Sequence, residues 1–228
     1  MRLGVVGGSS LVTFDPQNAF QEIGLSVASE EDLTQTTEYG KVFLRKVELK
    51  GDGVEHTIIF MQRHSHGADG LKTGITPPHK INYHANMLAL KEQGVDAIIA
   101  TTSVGTIRAE FPPGRVGVAN QYIDFTGAAT TYHHENAKFT SVTEPFSVDV
   151  NAALLKTLRR VQQLDADAPL EFTLWLSTGP QYETAAEVTA AERLGADVVG
   201  MTAPREAKLC AELAVPYAAL TIASNWAA

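Results

Sequence analysis

Short runs of β-branched and other apolar residues recur along the chain, separated by stretches whose apolar positions return every three or four residues. LGVVG (3–7), TIIFM (57–61), DAIIATT (96–102), VGVAN (116–120), FTLWL (172–176), DVVGM (197–201) and YAALTIA (217–223) read as strands covered on both faces. Residues 80–93 place Ile81, Ala85 and Leu88 on one helical face, and residues 149–163 do the same with Val150, Leu154, Leu158 and Val161. Residues 183–194 and 204–213 complete the helices, the last with Pro204 in its first turn, where a missing N–H costs nothing. EQGVDAIIA and RLGADVVGM each run from helix through a glycine stop into a buried strand, half of a right-handed crossover. The pattern predicts one α/β domain over residues 1–228, a mixed central β-sheet flanked by helices.

The chain has 228 residues, enough for a substantial core, and its 44% apolar and 19% charged content is that of an ordinary globular protein. A single cysteine, Cys210, rules out an intrachain disulfide and a cysteine-based zinc site, and the expected location is the cytoplasm. No apolar run reaches the roughly 20 residues of a membrane span, and the amino terminus lacks a signal-peptide core. The net charge of −8, with scattered basic residues, speaks against nucleic acid as a partner. Any anion must therefore be held by local donors.

Ligands of open α/β sheets bind beyond the carboxyl ends of strands. The unusual polar clusters fall there: GGSS, QRHSHG, TTSVGT, STGPQYE, MT and SNW. Each admits two readings. Gly7 and Gly8 serve a tight turn, or with Ser9 they form an anion nest. Arg63 pairs with an acid of the fold, or its planar fork takes a phosphate. The histidines of QRHSHG lack the carboxylates or cysteines expected of a metal site, so no metal is predicted. Thr101, Thr102 and Ser103 cap a helix or bind a ligand, and Gly105 lets a planar group approach the backbone. Met201 is a core residue or a ligand contact beside Thr202. Asn225 caps a strand or reads a ligand edge with one donor and one acceptor. Glu183 either complements the helix dipole from the first turn or, with Tyr182, faces a flat hydrogen-bonding ligand. TYHHEN (131–136) reads as a solvated loop.

The stretches GVVGGSSL, QRHSHG, PPHKINYHANMLALKEQGVDAIIATTSVGTI, TGPQYETAAEVTAAERLGADVVGMT and ASN together resemble the purine nucleoside phosphorylase and methylthioadenosine phosphorylase family, in order and over nearly the whole chain. The resemblance implies phosphorolysis of an N-glycosidic bond, no cofactor other than inorganic phosphate as co-substrate, and a homotrimer or dimer of trimers. It assigns Ser9, Arg63, His64, Thr102, Ser103 and Thr202 to phosphate. Val104, Gly105, Tyr182, Glu183, Met201 and Asn225 fall to base and ribose, with Asn225, Arg63 and His64 as the catalytic set.

Three departures bear on the substrate. Members that cleave methylthioadenosine carry aspartate where Asn225 stands, a further acid at the position of Ala227, and commonly serine at that of Glu183; a carboxylate accepts from N1–H of a 6-oxopurine but repels the N1 lone pair of adenine. The expected substrate is a 6-oxopurine nucleoside, with a 5′-methylthio group also accommodated. SHGADGLKTGITPPH (65–79) looks like an inserted flap. Family members also continue into a C-terminal helix that covers the 5′ side of the sugar. Either that helix lies outside this sequence or the site is open there.

Overall fold

The computed structural model describes residues 1–8, 20, 23–51, 53–65 and 75–228. Nine strands form one sheet: β1 (Arg2–Gly7), β2 (Ser26–Thr37), β3 (Gly40–Gly51), β4 (Val54–Gln62), β5 (Ala97–Thr106), β6 (Val116–Asp124), β7 (Glu171–Leu176), β8 (Val198–Gly200) and β9 (Tyr217–Trp226). Their order is β2-β3-β4-β1-β5-β8-β7-β6-β9, and β9 pairs again with β5. The strands from β5 to β9 thus close on themselves, while β1 to β4 extend from β5 as an open arm. β4, β1, β5 and β9 are parallel neighbours, whereas β8 runs against β5 and β6 against β9. The sheet is mixed, as the apolar pattern predicts.

The helices are α1 (Tyr83–Glu92), α2 (Val148–Val161), α3 (Ala185–Arg193) and α4 (Ala203–Glu212). Each helix start has a local cause. Asn82 accepts from the Ala85 N–H at α1, and Ser147 accepts from the Val150 N–H at α2. α3 opens with a reciprocal capping box: Thr184 takes the Glu187 N–H and the Glu187 carboxylate takes the Thr184 N–H. α1 and α4 pack together against the sheet, burying Met87, Ala89 and Leu90 with Ala203, Ala207, Leu209 and Cys210 in the main core.

Two elements differ from the sequence reading. The β2–β3 hairpin is absent from it, because SVASEEDLTQTT carries mostly polar, solvent-facing side chains and has no apolar run. Several strands also run longer than their apolar stretches: β5 continues to Thr106, β6 to Asp124 and β9 to Trp226. Thr102 to Gly105 and Asn225 therefore lie within strands, paired by backbone, rather than in loops beyond them.

Candidate active site

Because β1, β4, β5 and β9 are parallel, their carboxyl ends gather at one edge. This brings together Gly8, Arg63, His64, the Thr102–Gly105 stretch and Ser224–Asn225. β8 runs the other way, with Val199 opposite Gly105, so the chain leaving it returns alongside β5. Met201 and Thr202 arrive there, with the Thr102 and Thr202 hydroxyl oxygens 3.4 Å apart. The segment after β7 closes the remaining side. The result is an open cavity of about 150 Å³. Arg63, His64, Thr102, Ser103, Val104, Gly105, Tyr182, Glu183, Met201, Thr202 and Asn225 all line it. Ser9 lies outside the described residues, as do residues 66–74 of the inserted segment. Gly8, a candidate for the anion nest, lines the cavity too, and Pro78, Val199, Gly200 and Ser224 join it without having been singled out in the sequence.

One part of the wall is built to donate hydrogen bonds. Thr202 is the N-cap residue of α4, yet its side chain makes no capping bond. Its hydroxyl is left for the cavity at the positive end of that helix, where an anion is favoured. Thr102 is buried beside it. Across β1, the Gly8 N–H donates to the Thr101 hydroxyl at 2.9 Å. A Cβ on Gly8 would come within 2.7 Å of the Thr101 carbonyl oxygen and 3.0 Å of Arg63 Nη1. Only glycine permits that approach.

Arg63 pairs with an acid of the fold, the first of its two sequence readings. It is 2% exposed and makes a bidentate pair with Glu206, Nε to Oε1 at 2.5 Å and Nη2 to Oε2 at 2.8 Å, while Nη1 donates to the Thr101 carbonyl at 2.7 Å. It also lines the cavity. Burial disfavours its charge, but the Glu206 carboxylate outweighs burial and raises its pKa. Sequence reasoning missed Glu206. The available signal was an acid on the same helical stripe as Ala203, Ala207 and Cys210, a face that is otherwise apolar. His64 pairs Nδ1 with the Thr76 carbonyl at 2.8 Å. A carbonyl only accepts, so Nδ1 carries the hydrogen, and Nε2 of the neutral ring keeps a lone pair. Burial lowers the pKa of His64, the neighbouring Arg63 lowers it further, and the Thr76 bond opposes both.

The other part of the wall suits a flat ligand. α3 begins at Ala185 with Thr184 as its cap and Glu187 as its first-turn acid, so Glu183 precedes the helix and has no capping role. Glu183 Oε1 is shielded from solvent and has no hydrogen-bond partner among the described residues. The adjacent Tyr182 ring is 81% exposed at the cavity mouth. Gly179, with φ +66°, brings the loop so close that a Cβ there would lie 2.5 Å from Met201 Sδ. Asn225 Nδ2 donates to the Trp226 carbonyl and its Oδ1 accepts from the Ser224 hydroxyl, each at 2.8 Å. One N–H and one oxygen lone pair remain for a ligand. The room expected beside Gly105 is already filled, since a Cβ there would meet Val199 Cγ2 at 2.9 Å and Asn225 Nδ2 at 3.4 Å. That glycine seats the Asn225 amide.

Residues 22–228 match the phosphorylase superfamily. The chain is 36% identical, over its full length and 80% of the relative, to the 6-oxopurine nucleoside phosphorylase of Pyrococcus furiosus. It is 33% identical, over its full length and 78% of the relative, to a probable S-methyl-5′-thioinosine phosphorylase of Thermodesulfovibrio yellowstonii. Among solved structures, a methylthioadenosine phosphorylase from an antarctic soil metagenomic library superposes with a TM-score of 0.80 at 25% identity, covering 99% of this chain and 73% of that one. In sequence and in fold, the chain belongs to the phosphorylase superfamily.

Proposed function

We propose that this protein is a purine nucleoside phosphorylase that cleaves 6-oxopurine nucleosides with inorganic phosphate, giving the free base and ribose 1-phosphate. The observation that carries the reading is the sheltered, unpartnered Glu183 oxygen in the same cavity as the Thr102 and Thr202 hydroxyls and Arg63. A buried acceptor without a donor is costly until a ligand supplies one, and N1–H of hypoxanthine or guanine does so. Adenine offers a lone pair there instead. The relatives named for 6-oxopurine nucleosides and methylthioinosine support the same choice of base.

In the reaction, a phosphate oxygen bonds to C1′ as the C1′–N9 bond breaks, and the bond electrons leave with the purine. Positive charge grows on the sugar and negative charge on the base. Arg63, Ser9, Ser103 and the two threonine hydroxyls hold the phosphate, whose own charge offsets the sugar cation; His64 sits beside them with the Nε2 lone pair available to accept from the P–OH of hydrogen phosphate. The spare Asn225 N–H donates to the N7 side of the departing base, Tyr182 stacks on it, Val104 and Gly105 flank it, and Met201 packs under the ribose. Fixed donors and positioning supply the rate enhancement. Neither a metal nor an organic cofactor enters this scheme.

The 5′ group is hydroxyl or methylthio; the methylthioinosine relative supports the latter. Assembly as a homotrimer or dimer of trimers fits the exposed Phe125, Phe139 and Trp226, and a cytoplasmic location fits the lone cysteine. The deciding experiment follows ultraviolet absorbance for inosine, adenosine and their 5′-methylthio counterparts, with and without phosphate. Base release from the two oxopurine nucleosides that requires phosphate is expected. Release in plain water, or a preference for adenine, would refute the proposal.

A further inference from the structure

Behind the cavity wall lies a carboxylate with no place in the chemistry above. Glu206 is 0% exposed, one turn into α4 from Thr202. Both its oxygens are bound: Oε1 by Arg63 Nε, and Oε2 by Arg63 Nη2 and by the Tyr217 hydroxyl at 2.6 Å. Tyr217 begins β9, and Arg63 follows β4. Through Nη1 the same guanidinium reaches the Thr101 carbonyl on β5, and Thr101 in turn receives the Gly8 N–H from the end of β1. Four strands and one helix therefore meet at a single planar cation. Burial first, then the neighbouring carboxylate, raises the pKa of Tyr217 well above its ordinary value, so its hydroxyl stays a proton donor to Glu206.

The geometry divides the arginine into two working edges. Its side edge, Nε with one N–H of Nη2, is taken by Glu206, and one N–H of Nη1 is taken by Thr101. The two N–H groups not used by these partners, one on Nη1 and one on Nη2, make the fork at the end of the guanidinium that can meet two oxygens of a tetrahedral anion in the cavity Arg63 lines. A free arginine loses rotamer freedom when it meets an anion, whereas one already held by three bonds has lost it in folding. Glu206 also cancels the net charge of Arg63, so what the cavity gains is direction more than field.

We propose that Glu206, braced by Tyr217, is a positioning residue that fixes the Arg63 end-on fork for phosphate and acts on the phosphate half of the site alone. This rests on the phosphorylase reading of the cavity. Initial rates of Tyr217→Phe, Glu206→Asp and Glu206→Gln in the intact protein, with phosphate and inosine varied separately, test it. Tyr217→Phe, lacking one neutral hydrogen bond, is expected to raise KM for phosphate about three- to tenfold. Glu206→Gln is expected to raise it more than Glu206→Asp, which restores the carboxylate, with KM for inosine within about twofold of wild type throughout. A parallel rise of both KM values, or an unchanged phosphate KM in folded Tyr217→Phe, overturns the proposal. Should Glu206→Gln not fold, the comparison of Tyr217→Phe with Glu206→Asp still decides it.

A second readout separates this inference from the reaction it serves. The rise in melting temperature caused by inorganic phosphate is measured for wild type and variants without nucleoside. If wild-type turnover proves independent of phosphate, the phosphorylase reading fails. A phosphate-induced rise that is present in wild type and diminished in Tyr217→Phe would then still support the clamp. A rise equal in both, or absent from wild type, overturns it.

Discussion

Replacing Glu183 with glutamine tests base recognition at the atom on which it depends. Oε1 of Glu183 is shielded from water and has no partner among the described residues, while the rest of the side chain is only half-buried. On the proposed reading an oxopurine N1–H fills that vacancy, and adenine N1 would leave it empty with two lone pairs facing. A buried polar group left unsatisfied costs about 1–3 kcal/mol. Because Glu183 is half-buried, relaxation and water entry favour the lower half of that range, about 1–2 kcal/mol. At about 1.4 kcal/mol per decade this corresponds to roughly 5- to 30-fold in kcat/KM. Glutamine keeps the shape and can turn either its oxygen or its NH2 toward the base. Glu183→Gln should therefore lower the inosine-to-adenosine ratio of kcat/KM by about that factor, through a gain on adenosine as well as a loss on inosine. Coupled ultraviolet assays at fixed, saturating phosphate measure both substrates under the same conditions. A ratio unchanged within about twofold, in a variant that melts like wild type, would show that Glu183 does not read N1.

The neighbouring Thr184→Ala offers a control, because it removes the capping box of α3 without touching the proposed base contact. It should cost about 1 kcal/mol in urea denaturation and leave the inosine-to-adenosine ratio as it was; a changed ratio would mean that the cap itself sets the Glu183 position. Arg63→Ala strips the partner from a fully buried carboxylate. A loss of about 3–5 kcal/mol in the same measurement is expected, so loss of activity in that variant must be separated from loss of fold by calorimetry. Gly179→Ala places a Cβ against Met201 Sδ in a backbone conformation that side chains disfavour. A lower melting temperature and a raised nucleoside KM should follow, and wild-type values for both would contradict the close approach of loop and thioether. For His64, burial holds the folded pKa below its unfolded value of about 6.5. The stability it supports is complete above that pH and is lost as pH falls through the folded value. Wild type should lose denaturant resistance below about pH 6.5 more steeply than His64→Gln, and equal slopes would place the acid sensitivity elsewhere.

Much of this was legible in the chain because buried strands announce themselves as unbroken apolar runs. TIIFM and FTLWL lie within strands of the sheet, as does DAIIATT from its second residue on, and every helix read from its periodicity is present within a few residues of its expected ends. The β2–β3 hairpin was not legible, since its outer strand faces water on most positions and carries charge where a core strand would carry valine. Closure of the ring through β5 and β9 also leaves no local mark, being decided by packing between segments more than a hundred residues apart. At the site, residue types at strand ends pointed to the cavity, but partners did not. Nothing near Arg63 in sequence indicates Glu206, 143 residues away. Likewise, the sequence left open whether Glu183 serves the dipole of α3 or faces a ligand, and only the capping bonds of Thr184 and Glu187 place Glu183 ahead of the helix.

The closed ring has a consequence for life in a crowded solution. Every described strand but β2 has hydrogen-bonded neighbours on both sides, so one row of unpaired backbone is left for another molecule to zip onto. That row carries Glu30, Glu31 and Asp32 in succession; Arg45 of β3 pairs with Glu30 and Asp32, and Glu31 has no ion-pair partner among the described residues. A charged outermost strand of this kind disfavours edge-to-edge pairing with a second copy.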